Sequence, residues 1–193
     1  MAALSLMPIW VFMYARALTE HEEAAAGPLG IGQAVYTGCQ SCHGADGGGG
    51  VGYQFSGGEV MKTFPHIEDQ LRFVYFGTAA YNLAGVEIYG NPDREGGPHI
   101  AGQRGAMPQQ GQNAGGDLTD AEILSVVCHE RYTLGGADPS GEFADEFAEW
   151  CSEDSEIFAA LEGGTLSLDS LETTFDVMPI GTEPVPGSPP GAE

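Results

Sequence analysis

Basic side chains are what this sequence lacks most. Six Lys and Arg stand against 28 Asp and Glu in 193 residues, a formal charge of −22. Direct nucleic-acid binding is not expected, because gripping phosphates takes clustered Lys and Arg. A basic protein partner or a salt-rich setting suits such a surface better. The shortage is uneven: residues 138–193 carry half of the acidic side chains and no Lys or Arg. Cysteine is scarce too. The four fall into a close pair, Cys39 and Cys42, and a distant pair, Cys128 and Cys151. No second C-x-x-C is present, no strand-like alternation precedes Cys39, and no internal repeat is apparent. Glycine and proline, by contrast, number 30 and 12, so much of the chain is expected to be loop.

Charge is nearly absent from residues 1–18, MAALSLMPIWVFMYARAL, where Arg16 is the single charged side chain. A helix of that length reaches about 27 Å, just short of a typical hydrocarbon core. Trp10 and Tyr14 suit an interface, and Glu20, Glu22 and Glu23 follow on what is then the non-cytoplasmic side. The expectation is a membrane-anchor helix over 1–18. A cleaved signal peptide is the alternative: AAAG at 24–27 supplies small residues for cleavage, but the basic start is missing. A buried core helix is the third reading. Residues 19–29 read as a polar linker.

Apolar spacing then predicts helices over 31–38, with Ile31 and Val35 four apart, and over 65–78, with Ile67, Leu71, Val74 and Tyr75 on one face and Gly77 closing it. Residues 44–52 and 82–117 read as loops, the second long enough to suggest function. Residues 118–136 form the clearest helix: Thr119 and Glu122 make a capping box ahead of Ile123, Val126 and Val127. Residues 142–164 read as one or two acidic amphipathic helices, and the Pro- and Gly-rich end as disordered. Cys128 and Cys151 are either two unrelated buried thiols or, in an oxidising compartment, a disulfide. Such a bridge closes a loop of about 24 residues and stabilises by about 3 kcal/mol in the chain-entropy model.

The densest chemistry is GCQSCHG at 38–44. Cys39, Cys42 and His43 could serve a haem, a zinc ion or a redox disulfide. Structural zinc wants four ligands, and His66, His99 and His129 lack finger-like spacing. A thioredoxin-like dithiol belongs in a βαβ unit at a helix start, whereas this motif follows a helix. C-x-x-C-H is also the attachment signal for c-type haem. Two thiols one helical turn apart can each add to one vinyl group of a porphyrin, and the following imidazole then offers Nε2 to the iron. A second axial ligand is needed, and three Met-Pro pairs exist, at Met7, Met107 and Met178. Met107-Pro108 lies in the long loop just before the capped helix. Pro108 fixes its own φ and biases Met107 to extended backbone. His99, in the same loop, is the rival distal ligand.

CQSCHG, FPHIEDQLRFVYFG, GAMPQQG and LTDAEILSVVCHERY, in that order, resemble the monohaem class I cytochrome c family over about residues 28–135. The resemblance implies an all-α, cytochrome c-like haem domain with Gly-rich loops over 30–136, behind the hydrophobic helix, with first and last helices crossing beside one covalent haem c. It implies Cys39 and Cys42 as thioether sites, His43 as proximal and Met107 as distal iron ligand. Two features depart from it. Many members have a proline soon after the motif whose carbonyl orients the proximal imidazole; here the first is Pro65, so another carbonyl in 48–55 must serve. An acidic extension over 137–176 and a tail over 177–193 have no counterpart, and a Cys128–Cys151 bridge would staple the extension to the last helix. Tyr53, Phe55, Phe64, Tyr75, Tyr81 and Tyr89 are candidates for pocket walls.

The implied activity is electron transfer in a respiratory chain rather than catalysis. The protein is expected on the extracytoplasmic side of a cell membrane, exchanging electrons with redox partners such as a quinol-oxidising complex and a terminal oxidase. The alternatives are a fixed cytochrome c subunit of an oxidoreductase or oxidase complex, and an open-site haem enzyme or sensor.

Overall fold

The computed structural model describes residues 27–192. The expected anchor helix over 1–18, with Met7, and most of the linker lie outside the described residues. Among the described residues no helix is long and apolar enough to cross a membrane.

Among the described residues the fold is helix-rich, with a single short ladder. Helix α1 (Pro28–Tyr36) begins ahead of the predicted start, because Pro28 occupies the first helical turn, where its missing N–H is no loss. One turn, α2 (Gln40–His43), carries the C-x-x-C-H motif, and α3 (Glu59–Thr63) follows a glycine-rich loop. Helix α4 (Ile67–Leu83) does not end at Gly77 as predicted. It breaks there, at φ 64° and ψ 167°, and resumes. The expected loop 82–117 contains β1 (Ile88–Tyr89) paired antiparallel with β2 (His99–Ile100), Tyr89 opposite His99, and a 3₁₀ turn over Gln112–Ala114. Helix α5 (Asp120–Cys128) starts at the capping box: Thr119 Oγ1 accepts from the Glu122 N–H and Glu122 Oε2 from the Thr119 N–H. It widens to a π-helical stretch over His129–Leu134.

Helices α1 and α5 touch backbone to backbone. A Cβ placed on Gly32 would lie 1.9 Å from the Ser125 carbonyl oxygen, so glycine alone permits this approach. Around the crossing, Tyr36, Ile67, Leu71, Ile123, Leu124 and Val127 are buried.

The extension joins the same core. Helix α6 (Ala144–Glu146) runs into a π-helical stretch, Phe147–Cys151, and α7 (Glu156–Glu162) starts where Ser155 Oγ accepts from the Phe158 N–H at 3.0 Å. Cys128 and Cys151 form a disulfide, Cα atoms 5.5 Å apart. Trp150, Ile157, Leu161, Leu168 and Leu171 are buried with the residues of α4 and α5 in one cluster. The boundary drawn at 136/137 therefore divides no core, because the apolar face of the extension has nowhere else to go.

The tail departs from its composition. Residues 177–192 form no regular element, yet three charged side chains of α4, all buried, hold them. Arg72 Nε donates to the Ile180 carbonyl at 2.6 Å, Glu68 Oε1 accepts from the Met178 N–H at 3.2 Å, and Asp69 Oδ2 accepts from the Ser188 N–H at 2.6 Å. Backbone groups without a ladder are satisfied by side chains instead.

Candidate functional site

The motif turn is built from local hydrogen bonds. Cys39 caps α2, and its carbonyl accepts from the Cys42 and His43 N–H groups at 3.2 and 3.1 Å, so both thiols and the imidazole leave one helical turn. Cys39 is half-buried, Cys42 exposed, and both are free thiols. Burial first, then Glu130 and Cys42, pushes the Cys39 thiol up to about 12. A thiol held protonated is a poor nucleophile, the reverse of a reactive dithiol.

His43 is oriented by its ring nitrogens. Nδ1 lies 2.9 Å from the Tyr53 carbonyl oxygen. A carbonyl can only accept, so Nδ1 carries the proton and Nε2 keeps its lone pair. Tyr53 lies within 48–55, the stretch required to replace the missing proline carbonyl. The ring stacks on Phe55 at 4.4 Å and 13°. A Cβ on Gly52 would meet it at 2.5 Å, so the glycine-rich loop wraps tightly against the imidazole. Burial lowers the pKa of His43 and the Tyr53 bond partly opposes it, the net direction favouring the neutral ring.

The loop bearing Met107 is seated in the break of α4. Gly77 allows it: a Cβ there would lie 2.6 Å from Met107 O, Pro108 C and Gln109 N. The next residue clamps the loop. The Thr78 N–H donates to Met107 O at 3.0 Å and the Met107 N–H donates to Thr78 Oγ1 at 2.9 Å. The Gly111 N–H then donates to Tyr75 O at 3.1 Å.

One cavity of about 330 Å³ is lined by Cys39, Cys42, His43, Met107 and Pro108. Its walls are mostly apolar, with Tyr53, Phe55, Phe64, Phe73, Val74 and Tyr89 among them. Four of the six aromatics named as wall candidates line it; Tyr75 packs against Gly111 and Tyr81 against Phe73 instead. Met178 does not line it, and His66 bonds the Pro189 carbonyl at 2.9 Å away from it. His99 does, its ring stacked on Tyr53 at 3.6 Å; burial first and Arg94 next lower it to about 4. Arg104 also borders the cavity, its guanidinium 4.8 Å from the Tyr53 ring centre.

Gly77, Thr78, Gln70 and Glu130 are site residues that sequence reasoning missed. The glycine in a helical run ahead of a Thr was the signal for the first two. Gln70 and Glu130 gave none, since each sits in an ordinary amphipathic pattern.

The arrangement offers the imidazoles of His43 and His99, one thioether and two free thiols around a mostly apolar cavity. Among the described residues no group of three or more His, Cys, Asp or Glu could hold a metal ion by itself. Such donors could serve a largely apolar cofactor, the thiols by covalent attachment and an imidazole and the thioether by ligation. No family model, curated protein or solved structure matches the chain.

Proposed function

We propose that this protein is an electron carrier built on one covalently bound c-type haem, with thioether bonds from Cys39 and Cys42, His43 as proximal ligand and Met107 as distal ligand. The observation that carries the reading is that all four residues line one apolar cavity while the Tyr53 carbonyl fixes the His43 tautomer with Nε2 unprotonated. When bound, such a haem supplies reversible one-electron iron chemistry at a potential raised by thioether ligation.

The chain's own residues have distinct parts in this. Tyr53 O and Phe55 hold the imidazole plane, the Thr78 clamp holds Met107, and Phe64, Phe73 and Val74 give the cavity an apolar wall. Arg104 lines the cavity and would offer positive charge to the acidic groups of a bound haem. The −22 surface steers the protein toward basic docking sites on redox partners, a quinol-oxidising complex on one side and a terminal oxidase on the other, at a salt-sensitive rate. Residues 1–18 tether it to the outer face of a membrane, which raises its effective concentration there.

The test is expression with c-type haem maturation, followed by mass and absorption spectra of wild type and Met107→Ala. Wild type is expected to gain one haem mass and, oxidised, the red-end sulfur-to-iron band. Met107→Ala is expected to lose that band and to bind CO when reduced. Absence of covalent haem sinks the reading. An unchanged distal ligand in Met107→Ala moves the assignment to His99, and CO binding by the wild type points to an open-site enzyme or sensor.

The packed extension favours a second reading, a fixed subunit of a respiratory assembly. Stapled by Cys128–Cys151 and sharing the core, the extension is no free tail. Co-migration with an oxidase in a mild-detergent purification separates the two.

A further inference from the structure

One buried acid beside the cavity has no part in the ligand set. Glu130, in the π-helical stretch after α5, is 3% exposed and lines the same cavity as His43 and Met107. Among the described residues a single side chain hydrogen-bonds its carboxyl: Gln70 of α4, whose Nε2 donates to Oε2 at 2.8 Å. The Gln70 amide has no freedom to turn, because its Oε1 accepts from Arg131 Nη1 at 3.2 Å. Arg131, wholly buried, is itself held by the extension. Its Nε and Nη2 donate to the two carboxylate oxygens of Glu146 at 2.7 Å each, and Nη1 also donates to Phe64 O at 2.8 Å. Tyr132 Oη donates to Glu146 Oε1 at 2.8 Å. A continuous path of hydrogen bonds thus runs from the cavity wall, through Gln70 and Arg131, to Glu146 on α6, which is 17% exposed.

The electrostatic consequence is that the nearest cation is committed elsewhere. Arg131 pairs with Glu146 and meets Glu130 only through a neutral amide. Tyr36 of α1 and Cys39 at the head of α2 interact with Glu130, and neither is cationic; His43, His99 and Arg104 line the same cavity, and burial lowers both imidazoles toward the neutral form. On α3, Glu59 and Lys62 pair with each other at 2.7 Å on the surface, and Val60 faces this stretch of α5. Burial therefore favours the neutral acid and pushes Glu130 up to about 8, with the Gln70 bond opposing. In so buried a wall, a unit change of charge in the cavity acts with little screening.

We infer that Glu130 is a redox-linked proton site, taking up one proton from solvent as a one-electron donor delivers an electron to the cavity and releasing it when the electron leaves. The inference rests on the electron-carrier reading above. Its balance is simple: one carboxylate, one proton and one electron give one carboxylic acid and one added electron in the cavity, with no net change of buried charge. The extension has a role in it, because Glu146 holds the Arg131 charge away from the acid.

The test measures midpoint potential against pH in the haem-loaded full chain, for wild type, Glu130→Gln, Gln70→Leu and Glu146→Gln, with loading checked by mass. In wild type the redox equilibrium is expected to shift by up to tenfold per pH unit around pH 8, which is 59 mV for one electron. Reduced-minus-oxidised infrared spectra should show a protonated-carboxyl band appearing on reduction. Glu130→Gln should flatten the potential and lose the band. Gln70→Leu keeps the acid but removes its donor, so the window moves to higher pH. Glu146→Gln frees positive charge beside the acid and moves the window lower. A chain that gains no haem mass sinks the carrier reading and this inference together. A loaded chain with a pH-independent potential, or a Glu130→Gln variant that keeps the slope, overturns this inference alone.

Discussion

Replacing Gly77 with Ala is expected to unseat Met107. At φ 64° and ψ 167°, Gly77 occupies a region of backbone space open to little but glycine. Placing Ala there costs about 1–3 kcal/mol. The added Cβ also lies 2.6 Å from three backbone atoms of residues 107–109, an overlap that no side-chain rotation relieves. Either the break in α4 or the loop must move, and the loop is held by the Thr78 clamp, whose two main bonds are 3.0 and 2.9 Å. Strain together with two hydrogen bonds at about 1 kcal/mol each gives a loss of about 3–5 kcal/mol. Gly85→Ala is the control: its φ is also positive, at 73°, but nothing lies within 4 Å of the added carbon, so strain alone of about 1–2 kcal/mol remains. Denaturant unfolding gives the energies and, on the electron-carrier proposal, the sulfur-to-iron band of the haem-loaded native state reports the seat of Met107. If Gly77→Ala matches Gly85→Ala in stability and keeps the band, the close approach at Gly77 is not what positions the methionine.

Two further outcomes test the frame around the site. Gly32→Ala should force α1 and α5 apart, because its Cβ would meet the Ser125 carbonyl oxygen at 1.9 Å and His129 Cβ at 2.8 Å; a loss of about 3 kcal/mol is expected, against almost none for Gly38→Ala, whose nearest neighbour lies at 3.5 Å. Equal denaturation midpoints for the two variants would refute the crossing. Acid stability should depend on His99, which burial and then Arg94 lower from 6.5 to about 4. Between those values the unfolded chain binds more protons, so the stabilisation present above pH 6.5 is lost as pH falls toward 4. His43 and His129 are lowered in the same direction by burial and share the acid limb. A pH series of denaturation midpoints on the chain without haem should show a shallower acid limb for His99→Phe; an unaltered limb refutes the assignment.

The motif turn and the capped helix were legible because each rests on short-range chemistry. Thr119 and Glu122 satisfy orphan backbone groups within one turn, and the C-x-x-C-H spacing fixes its own geometry. The need for a substitute carbonyl in 48–55 was legible as well, since an oriented imidazole requires an acceptor and the sequence offers no early proline. The break at Gly77 was misread as a helix end, because a glycine closing an apolar run looks the same whether the chain stops or admits another strand of backbone. The tail was misread for a deeper reason. Its composition speaks only of its own inability to form a core, whereas its order comes from Glu68, Asp69 and Arg72, more than a hundred residues away. Glu130 and Gln70 stayed hidden likewise, as their significance is a matter of which wall they meet.

The scarcity of basic side chains, the first feature of the sequence, explains how the outer segments are held. Arg72 and Arg131 are both buried, and each joins α4 or α5 to a segment that composition alone would leave loose. Lys62 and Arg94 share Glu59 at the edge of α3. Among the described residues Arg104 alone has no carboxylate partner, and it stands at the rim of the cavity. A chain of this charge could have spent its few cations on neutralising the acidic surface, which on the electron-carrier proposal would have weakened steering toward a basic partner. Committing them to junctions leaves the surface field intact and the cavity rim with one open positive charge. Removing Arg72 or Arg131 therefore threatens the seat of the tail or extension, whereas removing Arg104 leaves those junctions intact and acts where it lines the cavity.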